Sequence, residues 1–367
     1  MTPATTGIRL KALREARGLS QEQLARVFGF ENRQTVAQIE AGQRKLSAEE
    51  LVTAVREFDV PLDHFTNPYL IVGEARFSWR REGGLEEAEV NAFEARAGEW
   101  IGAYRELGRA TGKGVSPLRH RLGLVRGSSY EEAEADGEAV AEALRLGPVP
   151  SARLAEAMQV ELSTLVLMVD ARPGISGAAC LLRDLGAVLV NRNEPAGRRN
   201  YDLAHELFHL LTWDAMPPER IDDGVGSGKI QKRVEQMANK FASALLMPRE
   251  VLARHCGPEI DAAWLNRTAT ALGVSAVALK WRMVSLGLME QEAAKAFDDR
   301  LLRNNGATAP HDGEIPPLFG RPFMEVMAAG IGKGLVSVRR VARLLDVTID
   351  ELGELFAVHG IPRPFDM

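Results

Sequence analysis

The chain has 367 residues, of which 46% are hydrophobic and 26% are charged, so it is neither disordered throughout nor fibrous. Its formal net charge of −5 excludes a protein that coats nucleic acid by bulk charge, while it still permits one DNA-binding domain. The chain has only two cysteines, Cys180 and Cys256, which excludes a disulfide framework and a cysteine-rich zinc module.

The length predicts two or three domains, and the patterns below predict an α+β fold that is mostly α-helical. The first residues contain no apolar segment of the kind found in secretory signals. The longest apolar run, Leu162–Val169, is too short to span a bilayer. We therefore expect a cytoplasmic protein with no membrane contact.

Short helices are predicted for residues 8–66, where apolar residues recur at helical spacing. Ser20 precedes Gln23 by three positions, which is typical of a capping box at a helix start. The sequence predicts a first helix over Ile8–Arg17, a second from Ser20, and a third over Arg33–Glu40. We expect this first domain to occupy residues 1–70.

Residues 71–84 contain paired glycines and are predicted to be a linker that packs on its neighbours. A second domain is predicted over residues 85–250. It begins with Ala- and Glu-rich helices and continues with short strands at 162–169, 178–183 and 187–191. Two helices follow, at about 200–213 and 229–246. Residues 251–367 are predicted to form a helical C-terminal region that acts as a sensor or an interaction module.

The strongest chemical signal is His205-Glu206-Leu207-Phe208-His209. Residues four apart lie on one face of a helix, so both histidines can hold one zinc ion, with Glu206 beside its bound water as general base. The alternative is a pair of histidines satisfied on an ordinary amphipathic helix. A catalytic zinc usually takes three protein ligands, so a third ligand would weaken that alternative.

The next predicted helix offers Glu235 as the third ligand and Asn239 one turn later. Asn239 is suited to hydrogen-bond the outer nitrogen of a ligand histidine. Rival carboxylates occur in the intervening Gly- and Pro-rich loop, at Glu219, Asp222 and Asp223.

Segment 160–250 resembles the ImmA/IrrE family of zinc metallopeptidases. The resemblance rests on Ile175–Cys180, Val190–Asn191, Arg198–Arg199 ahead of LAHELFH, and Glu235–Pro248. It implies a gluzincin-like fold around Zn²⁺, with His205, His209 and Glu235 as ligands and Glu206 as general base. Two departures, Phe208 where the family often has Gly and Tyr201-Asp202 where it often has Phe-Thr, are expected to reshape the substrate cleft. By nearness in sequence, we consider Tyr201, Arg198 and Arg199 as oxyanion or substrate contacts, although packing or ion pairing is the alternative for each.

Residues 8–66 resemble the XRE family of Cro/repressor-type helix-turn-helix domains, through LREARGLSQEQLARVFGF, RQTVAQIEAGQRKLSAEEL and FDVPLDHF. The resemblance implies a five-helix domain with Arg33–Glu40 as recognition helix. Its expected base contacts are Arg33, Gln34, Thr35 and Gln38. The expected phosphate contacts are Gln21, Arg44 and Lys45. Residues 1–45 carry eight basic and four acidic side chains, 8 − 4 = +4, within a chain of net −5, which suits a local DNA-binding surface.

Two functions follow from these resemblances. The first is a DNA-binding regulator of stress-response or mobile-element genes whose zinc endopeptidase cleaves an XRE-type repressor, or a cognate regulator or toxin. The second is a transcriptional regulator or antitoxin-like protein whose metallopeptidase-like domain senses or binds partners with little proteolysis. Self-cleavage is a third possibility. Operators for such domains are usually palindromic, so a homodimer is expected.

Overall fold

The computed structural model describes residues 3–81, 86–218, 221–222, 228–255, 260–302 and 315–366. Helices dominate these ranges, and a small mixed sheet lies in the middle of the chain. The predicted α+β, mostly helical fold is therefore confirmed. None of the helices in these ranges has the length and apolar character that crossing a bilayer requires.

Five helices form the N-terminal domain: α1 (Pro3–Ala16), α2 (Gln21–Val27), α3 (Arg33–Glu40), α4 (Ala48–Phe58) and α5 (Asp63–Thr66). Reciprocal side-chain and backbone hydrogen bonds between Ser20 and Gln23 form the predicted capping box at the start of α2. The buried Arg14–Glu40 ion pair, with Nε 2.6 Å from Oε1, fastens α1 to the end of α3. This contact fixes the orientation of the predicted recognition helix.

Within the predicted linker, residues 76–81 form a strand, β1 (Arg76–Arg81). Side chains alternate along it, so that Trp79 is 1% exposed and packs in the core while Arg80 points to the opposite face. The Trp79 indole N–H also donates to Glu94 at 2.7 Å. A single short alternation beside Gly and Pro residues gave too weak a signal for a strand.

Three helices precede the rest of the sheet: α6 (Glu87–Thr111), α7 (Tyr130–Ala143) and α8 (Pro150–Val160). The strands β2 (Thr164–Val169), β3 (Ile175–Leu182) and β4 (Leu185–Asn191) follow, and β5 covers Ile221–Asp222. The sheet has the order β2-β4-β3-β1-β5. β3 is antiparallel to β4 and β1, whereas β2 is parallel to β4 and β5 is parallel to β1.

Helices cover both faces of this sheet. The helices α9 (Ala196–Thr212) and α10 (Lys229–Leu246) follow β4 and pack on the face that carries Val188 and Val190. The opposite face carries Ala187 and Leu189, which pack in the same core as residues of α6. Period-two alternation in β4 therefore divides the apolar core into two layers.

The C-terminal third does not pack as a separate unit. It comprises α11 (Arg249–Ala253), α12 (Ala262–Leu272), α13 (Ala276–Ser285), α14 (Gln291–Ala296), a 3₁₀ turn (Asp299–Leu301), α15 (Arg321–Gly332), α16 (Val338–Leu345) and α17 (Ile349–Val358). Residues of α12 and α13 lie in the core of α9 and α10, and residues of α15–α17 lie in the core of α6. The packing thus shows no break at the boundary expected after residue 250.

Close contact between α7 and α10 gives the first testable prediction. A Cβ atom at Gly137 of α7 would lie 2.5 Å from the carbonyl oxygen of Phe241 on α10. We expect Gly137→Ala to lower the free energy of unfolding by about 1–3 kcal/mol, because the helices must separate to admit the methyl group. Urea unfolding measures the change.

Gly332, at the end of α15, is the matched control, since a Cβ there would meet no atom within 4 Å. Gly332→Ala should leave stability unchanged or raise it slightly. Equal stability of the two variants would contradict the close α7–α10 packing.

Candidate metal centre

Helix α9 places two histidines on one buried face. His205 and His209 are each 2% exposed, and their Nε2 atoms are 3.1 Å apart. Phe208 packs α9 against α10, because its ring centroid lies 5.5 Å from that of Phe241 on α10. Phe208 is fully buried. We expected this departure from the family pattern to reshape the substrate cleft, but the side chain contributes to the core instead.

Helix α10 supplies the acidic partner of these histidines. Glu235 Oε2 lies 3.1 Å from His205 Nε2 and 3.4 Å from His209 Nε2. One turn later, Asn239 Oδ1 lies 3.1 Å from His205 Nδ1. Gln231, one turn earlier, donates to the other Glu235 oxygen, Oε1, at 2.7 Å. The packing of α9 on α10 therefore gathers three potential ligand atoms into one triangle.

The hydrogen bond to Asn239 determines where the protons lie. An amide oxygen only accepts hydrogen bonds, so His205 Nδ1 must donate, and the neutral ring then has a lone pair on Nε2. Burial, together with the charge of Arg80, lowers the pKa of His205 to about 4, so the ring is neutral near pH 7. Its Nε2 lone pair consequently faces the carboxylate oxygen of Glu235.

Two facing acceptors at 3.1 Å repel each other unless a cation lies between them. Burial alone would raise the pKa of Glu235, but the nearby His209 and His205 hold it below its usual range, so the carboxyl is charged. Two imidazoles and one carboxylate form a donor set typical of catalytic zinc. Ligand atoms of a tetrahedral zinc, at about 2.0–2.1 Å from the metal, lie about 3.3 Å apart, which fits the triangle.

Glu206 lies beside the triangle and against β3. It is 1% exposed, and its Oε2 has no hydrogen-bond partner among the described residues. A Cβ atom at Gly177 of β3 would lie 3.5 Å from Glu206 Cγ, an ordinary contact distance, so β3 packs directly against this side chain. Burial raises the pKa of Glu206 to about 8, so without a metal ion the carboxyl is mostly protonated near pH 7.

Arg80 is the cation next to this group, and the sequence did not predict its place there. Its Nη1 donates to Asp202 Oδ1 at 2.5 Å, and Asp202, one turn before Glu206 on α9, is 1% exposed. Arg80 favours the charged forms of both Glu206 and Asp202. Two sequence features could have indicated the place of Arg80. They are the four-residue spacing from Asp202 to Glu206 and an arginine that alternates with apolar residues at 76–81, but neither feature is specific.

The other side chains considered near the metal have local partners. The Tyr201 hydroxyl donates to the Asn239 carbonyl oxygen at 3.0 Å, and burial raises its pKa to about 12. Arg198 donates to Ser176 Oγ at 2.9 Å, and Arg199 donates to the Glu194 carbonyl at 2.6 Å. These contacts fit the packing and pairing alternative better than a role at the oxyanion.

Two of the rival ligands, Glu219 and Asp223, lie outside the described residues. For the third, Asp222, the backbone alone is described, in β5. Within the described part of the chain, the single His/Cys/Asp/Glu group with metal-binding spacing is His205, His209 and Glu235.

The predicted DNA contacts divide into exposed and paired residues. The side chains of Arg33, Gln34, Gln38 and Lys45 are exposed, and Thr35 is half-buried. Gln21 donates to Glu40 at 2.9 Å. Arg44 forms two hydrogen bonds with Glu50, at 2.6 and 3.0 Å. Helix α3 therefore presents the predicted base-reading side chains, whereas Gln21 and Arg44 already have protein partners.

Removal of the carboxylate tests the metal centre. We expect Glu235→Ala to abolish stoichiometric zinc binding, because two neutral imidazoles alone hold zinc weakly. Metal content after dialysis, measured by mass spectrometry, checks this. The control Glu250→Ala changes an exposed glutamate on α11 and should retain one zinc per chain. Full zinc content in the Glu235 variant would show that this carboxylate is not a ligand.

The Arg80–Asp202 pair can be tested by a double-mutant cycle in the presence of a chelator. Arg80→Met should cost about 2 kcal/mol of unfolding free energy, less than a fully buried pair because the Arg80 side chain is 29% exposed. Adding Asp202→Asn should recover part of the loss, since it removes a buried carboxylate charge that has lost its closest partner and keeps Arg198 Nε at 3.8 Å. Arg76→Met, on an exposed position of β1, is the control. Additive losses would argue against the pairing.

Comparison with known proteins agrees with this geometry. Residues 10–65 match a family model described as helix-turn-helix, and residues 176–283 match one described as IrrE N-terminal-like domain, a peptidase family. The comparison with curated proteins gives no match. A solved structure of Bacillus thuringiensis PlcR with the peptide PapR7 and DNA is 13% identical over 97% of this chain and 93% of that chain, with a TM-score of 0.18.

A TM-score this low carries no argument about the fold, so the two family models decide the assignment. The second model includes His205, His209 and Glu235, and it extends into α13. The predicted architecture is confirmed. The chain combines an N-terminal XRE-type helix-turn-helix domain with a domain of the IrrE N-terminal-like, or ImmA/IrrE, peptidase family.

Proposed function

We propose that this chain is a DNA-binding regulator with zinc-dependent endopeptidase activity. The observation that carries the proposal is the triangle of His205, His209 and Glu235, with the buried Glu206 carboxyl beside it. A purely structural histidine pair would not need a carboxylate 3.1 Å from an imidazole lone pair. It would also not need a second, unpaired carboxyl group next to it.

His205, His209 and Glu235 would hold the zinc, which when bound polarises a carbonyl group and lowers the pKa of water towards about 7. Glu206 in its ionised form accepts the proton of the attacking water, and the positive charges of Arg80 and of a bound zinc would favour that form. It then passes the proton to the leaving amine.

The neighbouring residues keep these groups in place. Asn239 fixes the ring orientation of His205, and Gln231 binds the oxygen of Glu235 that faces away from the histidines. Arg80, bound to Asp202, supplies positive charge next to Glu206 and thereby favours the carboxylate that acts as base. Gly177 of β3 lies against the Glu206 side chain.

The DNA-binding half of the proposal rests on α3 and its exposed polar side chains. Their arrangement suits base contacts in the major groove, with Lys45 on the phosphate backbone. We propose a palindromic operator, bound by a homodimer, and an XRE-type repressor, cognate regulator or toxin as protein substrate. DNA binding would place the peptidase beside a repressor, in the cytoplasm.

The second candidate is a regulator or antitoxin-like protein whose metallopeptidase-like domain senses or binds partners without cleaving them. It is favoured by the burial of the centre, where His205, Glu206 and His209 are each at most 2% exposed. Burial this deep limits the access of a peptide bond to Glu206. Operator binding without proteolysis under any condition would support this candidate, and cleavage within the chain itself would support self-processing.

Glu206→Gln tests the catalytic role. Glutamine has the shape of the neutral carboxyl form, so the variant should fold and bind one zinc, while peptide hydrolysis falls by about 10²–10⁴-fold. Fluorogenic peptides and a purified XRE-type repressor serve as substrates, and metal content is measured in parallel. Glu250→Gln is the control. A variant that keeps wild-type turnover would exclude Glu206 as the base.

Substitutions of the predicted DNA-contacting residues test sequence-specific DNA binding. The wild-type chain first selects its operator from a random DNA pool. On that operator, Arg33→Ala or Gln38→Ala should each weaken binding by about 1–3 kcal/mol and relax the base preference at one position. Lys45→Ala should weaken binding to all sequences and reduce the salt slope by about one. The control is Arg254→Ala, which changes an exposed arginine directly after α11. Unchanged base preference in both α3 variants would contradict the assignment.

A further inference from the structure

β1 occupies the strand position beside Glu206. Gly177 of β3 is the residue that lies against the Glu206 side chain. On one side Gly177 pairs with Val190 of β4, and on the other side it pairs with Arg80 of β1. Both neighbouring strand positions are therefore filled. An extended polypeptide could pair with β3 next to Glu206 only in the place of β1.

The outer edge of β1 is paired as well. Extended polypeptides bind to sheets by adding a strand to a free edge, where backbone N–H and C=O groups have no partner. At Trp79 and Arg80, however, β1 pairs with β5. Release of β5 alone would place a polypeptide two strands from β3, about 10 Å away, with β1 still in between. Binding beside Glu206 therefore requires that β1 itself leaves β3.

The pairing of β1 with β3 is irregular at the end next to the metal centre. Arg80 pairs with Gly177. The next residue, Arg81, pairs with Ile175, so the register skips Ser176. Such a bulge interrupts the hydrogen-bond ladder, and bulges often occur next to active sites. Separation of the two strands can thus begin at this end of β1.

Arg80 also neutralises a buried carboxylate below this strand. Directly opposed residues of antiparallel strands point to the same face, so Arg80 and Gly177 both face α9. The Arg80 guanidinium donates to Asp202, which is 1% exposed, while Arg80 is 29% exposed. Arg198 approaches Asp202 only to 3.8 Å. The closest cation of Asp202 is therefore supplied by β1, and a strand that replaced β1 would have to supply another.

The residue before Arg80 points to the opposite face. Trp79 is 1% exposed, and its ring packs edge-on against that of Phe93 on α6, with the centroids 5.5 Å apart. Successive side chains of a strand point to opposite faces. A replacing strand would therefore need a large apolar residue followed directly by a cation.

We propose that β1 is an internal pseudosubstrate, which holds the place on β3 that an extended polypeptide substrate takes. Asp202 then selects substrates in which an arginine or lysine directly follows a large apolar residue. This inference rests on the proposed function, because the strand position matters as the route of a substrate to Glu206. The chain stays latent while β1 is paired with β3.

Binding of a labelled peptide to the full, zinc-free chain tests the proposal. The peptide has the sequence of residues 74–83, and a counterpart has glutamine in place of the arginine at position 80. Fluorescence anisotropy measures both affinities. Wild type should bind weakly, because its own tethered strand competes at high effective concentration. Arg80→Gln should bind the arginine peptide at least about tenfold more tightly, because its internal strand then lacks the cation.

A second substitution tests the role of Asp202. The Arg80→Gln chain should prefer the arginine peptide to its glutamine counterpart by about tenfold. Adding Asp202→Asn should abolish this preference, a change that a merely structural role of Asp202 would not produce. Arg76→Gln, at an exposed position at the start of β1, is the control and should bind both peptides as wild type does.

Hydrogen exchange on the wild-type chain is a measurement that needs no variant. The backbone amides of Ser78, Trp79 and Arg80 should exchange through local opening, faster than those of β4. In the Arg80→Gln chain saturated with the arginine peptide, these amides should exchange faster still.

Three results would overturn the proposal. They are equal affinity of wild type and Arg80→Gln for the arginine peptide, an unchanged preference in the Asp202 variant, and β1 amides that exchange only with global unfolding. All readouts are binding and exchange on zinc-free protein. If they come out as expected while the zinc-loaded chain hydrolyses no peptide, the peptidase function fails and the strand exchange stands.

Discussion

The functional part of the molecule depends on one constraint, the buried contact between α9 and α10. Phe208 and Phe241 fill the space between these helices and hold the face with His205 and His209 against Glu235. The result is an imidazole lone pair that faces a carboxylate at 3.1 Å, an arrangement that a metal ion relieves. The apolar packing therefore holds two hydrogen-bond acceptors close together, and the proposed zinc ion would relieve their repulsion.

The sheet places further residues beside this contact between α9 and α10. β3 lies against Glu206 of α9 at Gly177, and β1 adds Arg80 at the same level of the sheet. β1 follows the helix-turn-helix domain after a short connection, so the DNA-binding part joins the sheet at Arg76, four residues before Arg80. Arg9 of α1, fully buried, donates to the carbonyl of Leu70 in that connection at 2.6 Å.

The sequence was sufficient to locate the parts of the site that depend on local spacing. His205 and His209 lie four apart on one helix, and Glu235 and Asn239 lie four apart on the next, so each pair could be assigned to one face. β1 and Arg80 could not be predicted, because their place depends on pairing with β3, about 100 residues later in the chain. For the same reason, the packing of α12 and α13 around α9 and α10 was missed.

X-ray absorption at the zinc edge, on the purified chain loaded with one equivalent of zinc, tests the central claim most directly. The account predicts only nitrogen and oxygen neighbours at about 2.0–2.1 Å, with the outer-shell scattering of two imidazole rings. A sulfur neighbour at about 2.3 Å, or a spectrum without imidazole features, would contradict it.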